Sequence, residues 1–187
     1  NIQSGIDGDA HLAPDYRIGL SLGFGGMLEK IEKYRKVNPD KKAFYDAEEK
    51  CVRAIVAFVD RHIEKIKEMI PDENRPEIRA SLEKMLAVCE NVRLGAPKTF
   101  HEACQWVAFY VCATRVYTRD GAGFQLDTIL LPYYENDIKS GELDDETAVF
   151  LIANLLLIDP HYYQISGVDE NDRDLTNHLS YLILDAA

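Results

Sequence analysis

Apolar residues recur along most of this chain every three or four positions, the period of a helix with one buried face. Ile18, Leu22, Met27, Leu28, Ile31 and Tyr34 make the first such run, which ends at the N-P-D of positions 38–40. Pro14 suits the first turn of that helix, where a missing N–H costs nothing. The G-F-G-G at 23–26 weakens it, since each interior glycine costs about 1 kcal/mol against alanine, so a bend or a close backbone approach is expected there. Positions 41–70 form the longest periodic segment, with a stripe of Phe44, Ala47, Cys51, Ala54, Ile55, Phe58, Val59, Ile66 and Met69 opposite Lys, Arg and Glu. His62 falls among charged neighbours and reads as a surface histidine. P-D-E-N-R-P breaks the helix, Pro76 opens the next, and Gly95 is expected to cap its end.

Positions 99–117 are apolar on nearly every face, the mark of a core helix walled in by neighbours. A loop, R-D-G-A-G-F-Q, leads to a helix through L-D-T-I-L-L-P-Y-Y-E-N-D-I-K-S, with Pro132 expected to kink it and Gly141 to end it. Asp144 or Asp145 caps a helix over about 145–158. H-Y-Y-Q-I-S, between Pro160 and Gly167, is short, aromatic and β-branched, and is the one segment that reads as a strand. The polar V-D-E-N-D-R-D then precedes a last helix, with Asp174 expected as its cap. The chain is mainly α, and a lone strand must find hydrogen-bond partners somewhere. That strand, a first residue that is Asn, and an end at Ala187 without a glycine stop together predict a piece of a larger protein, a single partial domain over 1–187.

Charge narrows the possible partners. Among 187 residues, 47% are apolar and 28% charged, with a net charge of −11 and a pI near 4.9. Nucleic-acid affinity comes largely from Lys and Arg displacing counterions, and anionic membranes attract basic patches, so neither is expected as a partner. The longest apolar run, A-V-F-L-I-A-N-L-L-L-I, is too short to span a bilayer, and a cytoplasmic protein is expected. Cys51, Cys89, Cys104 and Cys112 include no C-x-x-C pair, which argues against a disulfide scaffold or a thiolate zinc site. Their apolar neighbours predict buried thiols.

Candidate chemistry is sparse. Thr99 and Glu102 have capping-box spacing, in which each side chain satisfies the other's backbone N–H. His101, beside them, has no evident partner as a base. D-E-N-D-R-D-L at 169–175 departs from a calcium loop at Arg173, Asp174 and Ser180, so a solvated turn is expected and no metal. Asp7, Asp9 and His11 gather on a glycine-rich start, either as a turn or as hydrogen-bonding groups for a small polar substrate. In D-G-A-G-F-Q-L-D, two glycines let backbone approach a ligand closely, with Phe124 and Gln125 as contacts, although a plain turn has the same composition.

The order of four pieces resembles the glycyl radical enzymes, the pyruvate formate-lyase-like family, and within it the dehydratase and lyase branch. They are H-L-A-P-D-Y-R-I-G-L, then P-K-T-F-H-E-A-C-Q-W, then L-D-T-I-L-L-P-Y-Y-E-N-D, then I-S-G-V-D-E-N-D-R-D-L-T-N-H-L-S. The specific residues are Phe100, His101, Glu102, Ala103 and Gln105, then Asp127, Pro132, Tyr133, Tyr134 and Asp137, then the run from Gly167 to Ser180. The resemblance implies helical layers plus one strand of a ten-stranded α/β barrel. It implies a glycyl radical elsewhere in the full-length protein, a cysteine that becomes a thiyl and abstracts hydrogen from a small polar substrate, then elimination or acyltransferase-like C–C cleavage, with a radical-SAM activating enzyme, a homodimer and anaerobic metabolism. None of the four cysteines stands in the family's G-C-V/I-E context and no glycine in its R-V-x-G-Y-like motif. No catalytic residue is therefore expected here, no cofactor bound to this chain, and no activity from the chain alone.

By the same resemblance, substrate contacts fall at His11 or the neighbouring Asp9 and in the loop ending at Phe124 and Gln125, with Tyr163 and Gln164 near the pocket. Many relatives carry a longer loop ending in G-R-x-D, whereas Leu126 precedes Asp127 here, so the usual substrates do not transfer by analogy. The competing expectation is a non-catalytic helical binding or subunit module derived from the same fold.

Overall fold

The computed structural model describes residues 15–114, 125–158 and 163–187. Seven α-helices follow one another among them: α1 (Tyr16–Val37), α2 (Lys42–Asp72), α3 (Pro76–Val92), α4 (Phe100–Thr114), α5 (Leu126–Ser140), α6 (Asp145–Ile158) and α7 (His178–Ala186). None is long and apolar enough to cross a membrane. The chain divides into two compact units, one of Ile18–Pro97 and one of Asn1–Arg17 with Lys98–Ala187.

In the Ile18–Pro97 unit, α2 packs along α3. The buried stripe of α2 is Val52, Val56, Val59, Ile63 and Ile66, spaced four and three apart. Each such side chain contributes roughly 1.5–3 kcal/mol when fully buried. Seven of the nine residues of the stripe expected from sequence lie outside it: Phe44, Ala47, Cys51, Ala54 and Met69 are exposed, and Ile55 and Phe58 are half-buried. The inward register belongs to Val52 rather than its neighbour Cys51, and a shift of one residue turns a helix by about 100°. The helix ends at Asp72, and Pro76 opens α3 as expected. Between them the Glu73 carboxyl accepts from the Arg75 amide and guanidinium at 2.8–2.9 Å.

The G-F-G-G run does both things its composition suggested. Gly23 has φ 64°, ψ 175°, which interrupts the helical path of α1. A side chain there would meet the Gly95 carbonyl carbon at 2.3 Å, and Gly25 N–H donates to Leu94 O at 2.7 Å. The face of α1 that turns inward is not the one expected. Tyr16, Leu20 and Phe24 are buried, whereas Ile18 and Tyr34 are exposed. Gly95 is not the left-handed cap expected of it. Arg93 closes α3 in right-handed conformation, and Gly95 has room for no side chain because a Cβ would lie 2.7 Å from Asn91 O.

In the second unit, α4 packs on α5 and α6, and α7 packs on both of those. Nine of the fifteen residues of α4 are buried, Trp106 and Val107 completely. The helix is thus walled in, as its all-round apolarity predicts. Trp106 stacks on Tyr110 at 5.0 Å, and Tyr16 meets Tyr110 edge-on at 5.2 Å. Cys104 is buried but Cys112 is exposed, since Val111 holds the inward position beside it. α5 runs helically through Pro132 and ends at left-handed Gly141, φ 77°. Asp144 caps α6 by accepting from Thr147 N–H at 2.8 Å. The cap of α7 is Asn177, not Asp174: Asn177 Oδ1 accepts from Leu179 N–H, and Asn177 N–H donates to Ser180 Oγ. Asp174 instead closes a turn on Thr176. The expected strand makes one parallel bridge, Gln164 with Gln125, and no longer ladder among the described residues.

Candidate functional site

The start of α5 and residues 163–167 come together through backbone and side chains alike. Leu126 N–H donates to Gln164 O at 2.9 Å, and Gln125 Nε2 donates to Ser166 O at 2.8 Å. Asp127, with no exposed surface, lies beneath this junction. Its Oδ1 accepts from Thr128 N–H at 2.8 Å, and its Oδ2 accepts from Ser166 N–H at 2.7 Å and Ser180 Oγ–H at 2.5 Å. Ser166 adopts φ 60°, a left-handed conformation that costs a residue with a Cβ roughly 1–2 kcal/mol. The hydrogen bond to Asp127 holds it there.

Two more buried acidic side chains fasten the same unit. Asp137 Oδ2 accepts from Phe100 N–H at 2.7 Å, one of the unpaired amides at the start of α4. Glu102 Oε2 accepts from Lys98 N–H at 2.7 Å and Thr99 N–H at 3.4 Å, while Glu102 N–H donates to Thr99 Oγ1 at 3.2 Å. The expected capping box is therefore present, and Glu102 is structural. On the same face of α5, Tyr134 O–H donates to Asp145 Oδ1 at 2.5 Å, and His178 Nε2 lies 2.9 Å from Asp145 Oδ2. The Tyr134 hydroxyl holds the Asp145 carboxyl below the usual range, with His178 adding to it, and burial pushes the Tyr134 phenol up.

Of the residues singled out from sequence, Gln125 stands at this junction. Asp9, His11 and Phe124 lie outside the described residues, as does Pro14. Tyr163 is half-buried and Gln164 exposed, next to the bridge with Gln125. His62 is exposed, with Nδ1 2.9 Å from Phe58 O. Asp169 accepts from Asn171 N–H, Arg173 N–H and the Arg173 guanidinium, which makes the 169–174 segment a closed turn. Among the described residues no three His, Cys, Asp or Glu side chains group to hold a metal. Cys104 and Cys89 are buried, and burial pushes both thiols up, Cys89 to about 11.

The structural roles of Asp127, Tyr134, Asp137 and Ser180 were not assigned from sequence, although a signal for three of them was present. Asp127, Leu130, Tyr134 and Asp137 repeat at three and four, so two acids and a phenol occupy the apolar face of α5. Acids placed on a buried stripe must meet donors. Ser180 carries no comparable signal, because a serine at N3 of a helix is explained by its cap alone.

Residues 4–187 match the pyruvate formate lyase-like family. Isethionate sulfite-lyase of Nitratidesulfovibrio vulgaris is 27% identical over 202 residues, covering 91% of this chain and 24% of that protein. (2S)-3-Sulfopropanediol dehydratase of Klebsiella oxytoca is 26% identical over 213 residues, covering 96% of this chain and 25% of its own length. The glycerol-bound glycerol dehydratase of Clostridium butyricum superposes with a TM-score of 0.85 at 25% identity, covering 96% of this chain and 26% of that one. The chain thus spans about a quarter of the length of the relatives it matches. The match over residues 4–187 makes the chain a member of the pyruvate formate lyase-like family of glycyl radical enzymes.

Proposed function

We propose that this chain forms scaffold and part of the substrate pocket of a glycyl radical enzyme, a lyase or dehydratase acting on a small polar substrate. The observation that carries the reading is the match over residues 4–187 to a family whose relatives here are dehydratases and lyases of small hydroxylated or sulfonated molecules. The 187 residues make one partial domain of the full-length protein, and the segment of residues 163–167, whose Gln164 makes a parallel bridge with Gln125, contributes to its barrel. The full-length enzyme is cytoplasmic, works in anaerobic metabolism as a homodimer and is charged by a radical-SAM activating enzyme.

The cysteines of this chain do not fit the thiyl role. Cys89 and Cys104 are buried in helices with thiols pushed up, and Cys51 and Cys112 lie on helix surfaces. The reactive cysteine and glycine therefore belong to other parts of the full-length enzyme, where the glycyl radical would convert that cysteine to the thiyl that takes hydrogen from the substrate. What this chain contributes is binding. His11 and Asp9 orient substrate hydroxyls through charge-assisted hydrogen bonds, Phe124 shields the pocket, and Gln125 offers an amide fixed to Ser166.

The test uses the full-length protein, activated without oxygen. A glycine-centred radical signal and turnover of glycerol, isethionate or 3-sulfopropanediol are expected. Replacing His11 by Ala or Asp9 by Asn is expected to cut kcat/KM by roughly 10²-fold or more while leaving the radical signal in place. Wild-type kinetics in both variants would sink the assignment of these two residues.

A further inference from the structure

The Asp127 carboxyl group collects donors from three separate places in the chain. Thr128 is its neighbour, Ser166 is 39 positions away and Ser180 is 53 positions away. The two distant donors converge on one oxygen, Oδ2, so the position of Ser166 is set relative to both α5 and α7. Ser166 takes its left-handed φ where its N–H points at that oxygen. Its carbonyl then turns toward Gln125 and accepts the side-chain Nε2.

Gly167 completes the corner. It has φ 104°, and a Cβ added there would lie 2.8 Å from Gln125 Nε2. Leu175 N–H donates to Gly167 O at 2.9 Å, which holds the corner from its far side. Any side chain at 167 would collide with the amide that Ser166 anchors.

We infer that Asp127, Ser166 and Gly167 form a corner that places the Gln125 side chain, with Asp127 as its positioning residue. An amide anchored through its nitrogen presents its oxygen as an acceptor, so the ligand group that Gln125 selects is a hydrogen-bond donor, supplied in a polyol such as glycerol by a hydroxyl. That Gln125 meets a substrate rests on the proposed function; the corner itself does not.

The test compares variants of the full-length protein by amide hydrogen exchange, read on the peptides around 163–168 and 98–103. Asp127→Asn presents an NH₂ to at least one donor it formerly accepted, and exchange at 163–168 is expected to rise by roughly tenfold or more, the loss of one buried hydrogen bond. The 98–103 peptide, held by Asp137, is expected to stay at the wild-type rate. Ser180→Ala is expected to follow in the same direction, and Ser180→Thr, which keeps the hydroxyl, to restore slow exchange. Unchanged exchange at 163–168 in Asp127→Asn, or equal acceleration at 98–103, would overturn the positioning role. For the ligand, glycerol serves as probe. Gly167→Ala and Gln125→Ala are each expected to raise its KM about tenfold with kcat held, and the double variant to be no worse than Gln125→Ala alone. Additive losses would overturn the link from Gly167 to Gln125. Failure of the wild-type protein to turn over glycerol would count against the proposed reaction on polyols, with the exchange result still deciding the corner.

Discussion

The two units of this chain solve the same problem by different means. The Ile18–Pro97 unit has 15 basic and 14 acidic residues, and the other has 6 basic and 18 acidic, so the whole excess of negative charge sits in the second. In the first, charges stay outside and pair across exposed helix faces, while α2 and α3 meet through aliphatic side chains. In the second, three acids are buried, and each accepts backbone N–H groups at a helix start or a strained corner. Long helices with one apolar stripe need little polar help. Short helices that cross one another leave unpaired helix-end amides inside, and buried carboxyl groups are the fasteners that satisfy them. That acidic unit also carries the proposed pocket.

The contrast can be broken from either side. In the first unit, Ile63→Ala removes part of the α2 stripe and should destabilise by about 2–5 kcal/mol, read by chemical denaturation. In the second, Asp137→Ala leaves the Phe100 amide buried without its acceptor, at a cost of about 1–3 kcal/mol. Equal tolerance of Asp137→Ala and of a surface acid such as Glu68→Ala would erase the distinction. Alkylation at pH 8 should reach Cys51 and Cys112 and spare Cys89 and Cys104.

The buried Cys89 also gives a pH signature. Burial raises its thiol to about 11, so the folded state keeps a proton that the unfolded chain releases near 9. Its contribution to stability is complete below about pH 9 and declines as pH rises through about 11. Cys89→Ala should flatten that alkaline decline, whereas Cys51→Ala should leave it alone. The smallest effect belongs to Arg93 and Asp60, an ion pair on the surface of the first unit. A double-mutant cycle there should give no more than about 1 kcal/mol, falling with salt.

Much of this was legible in the sequence, and the exceptions have physical reasons. Helix starts at Pro76 and Thr99, the end at Gly141 and the buried character of α4 followed from local chemistry. Which face of α1 and α2 turns inward did not. Gly23 breaks the helical path of α1, and in α2 the inward position falls on Val52, one residue on from the Cys51 of the expected stripe. Asp174 is the cap that the local sequence suggests, and the observed bond from Leu179 N–H puts the cap at Asn177 instead. The clamp on Asp127 joins residues 39 and 53 positions apart, a proximity that no local pattern encodes. For the pocket, Gln125 was named from its glycine-rich loop, but its tie to Ser166 was visible only in three dimensions.

The most direct measurement is a crystal structure of the full-length protein with glycerol bound. A ligand hydroxyl is predicted within about 3.2 Å of His11 or Asp9, with another facing the Gln125 amide oxygen and Phe124 against the ligand's carbon chain. Glycerol held in a pocket that none of these four residues lines would contradict the account.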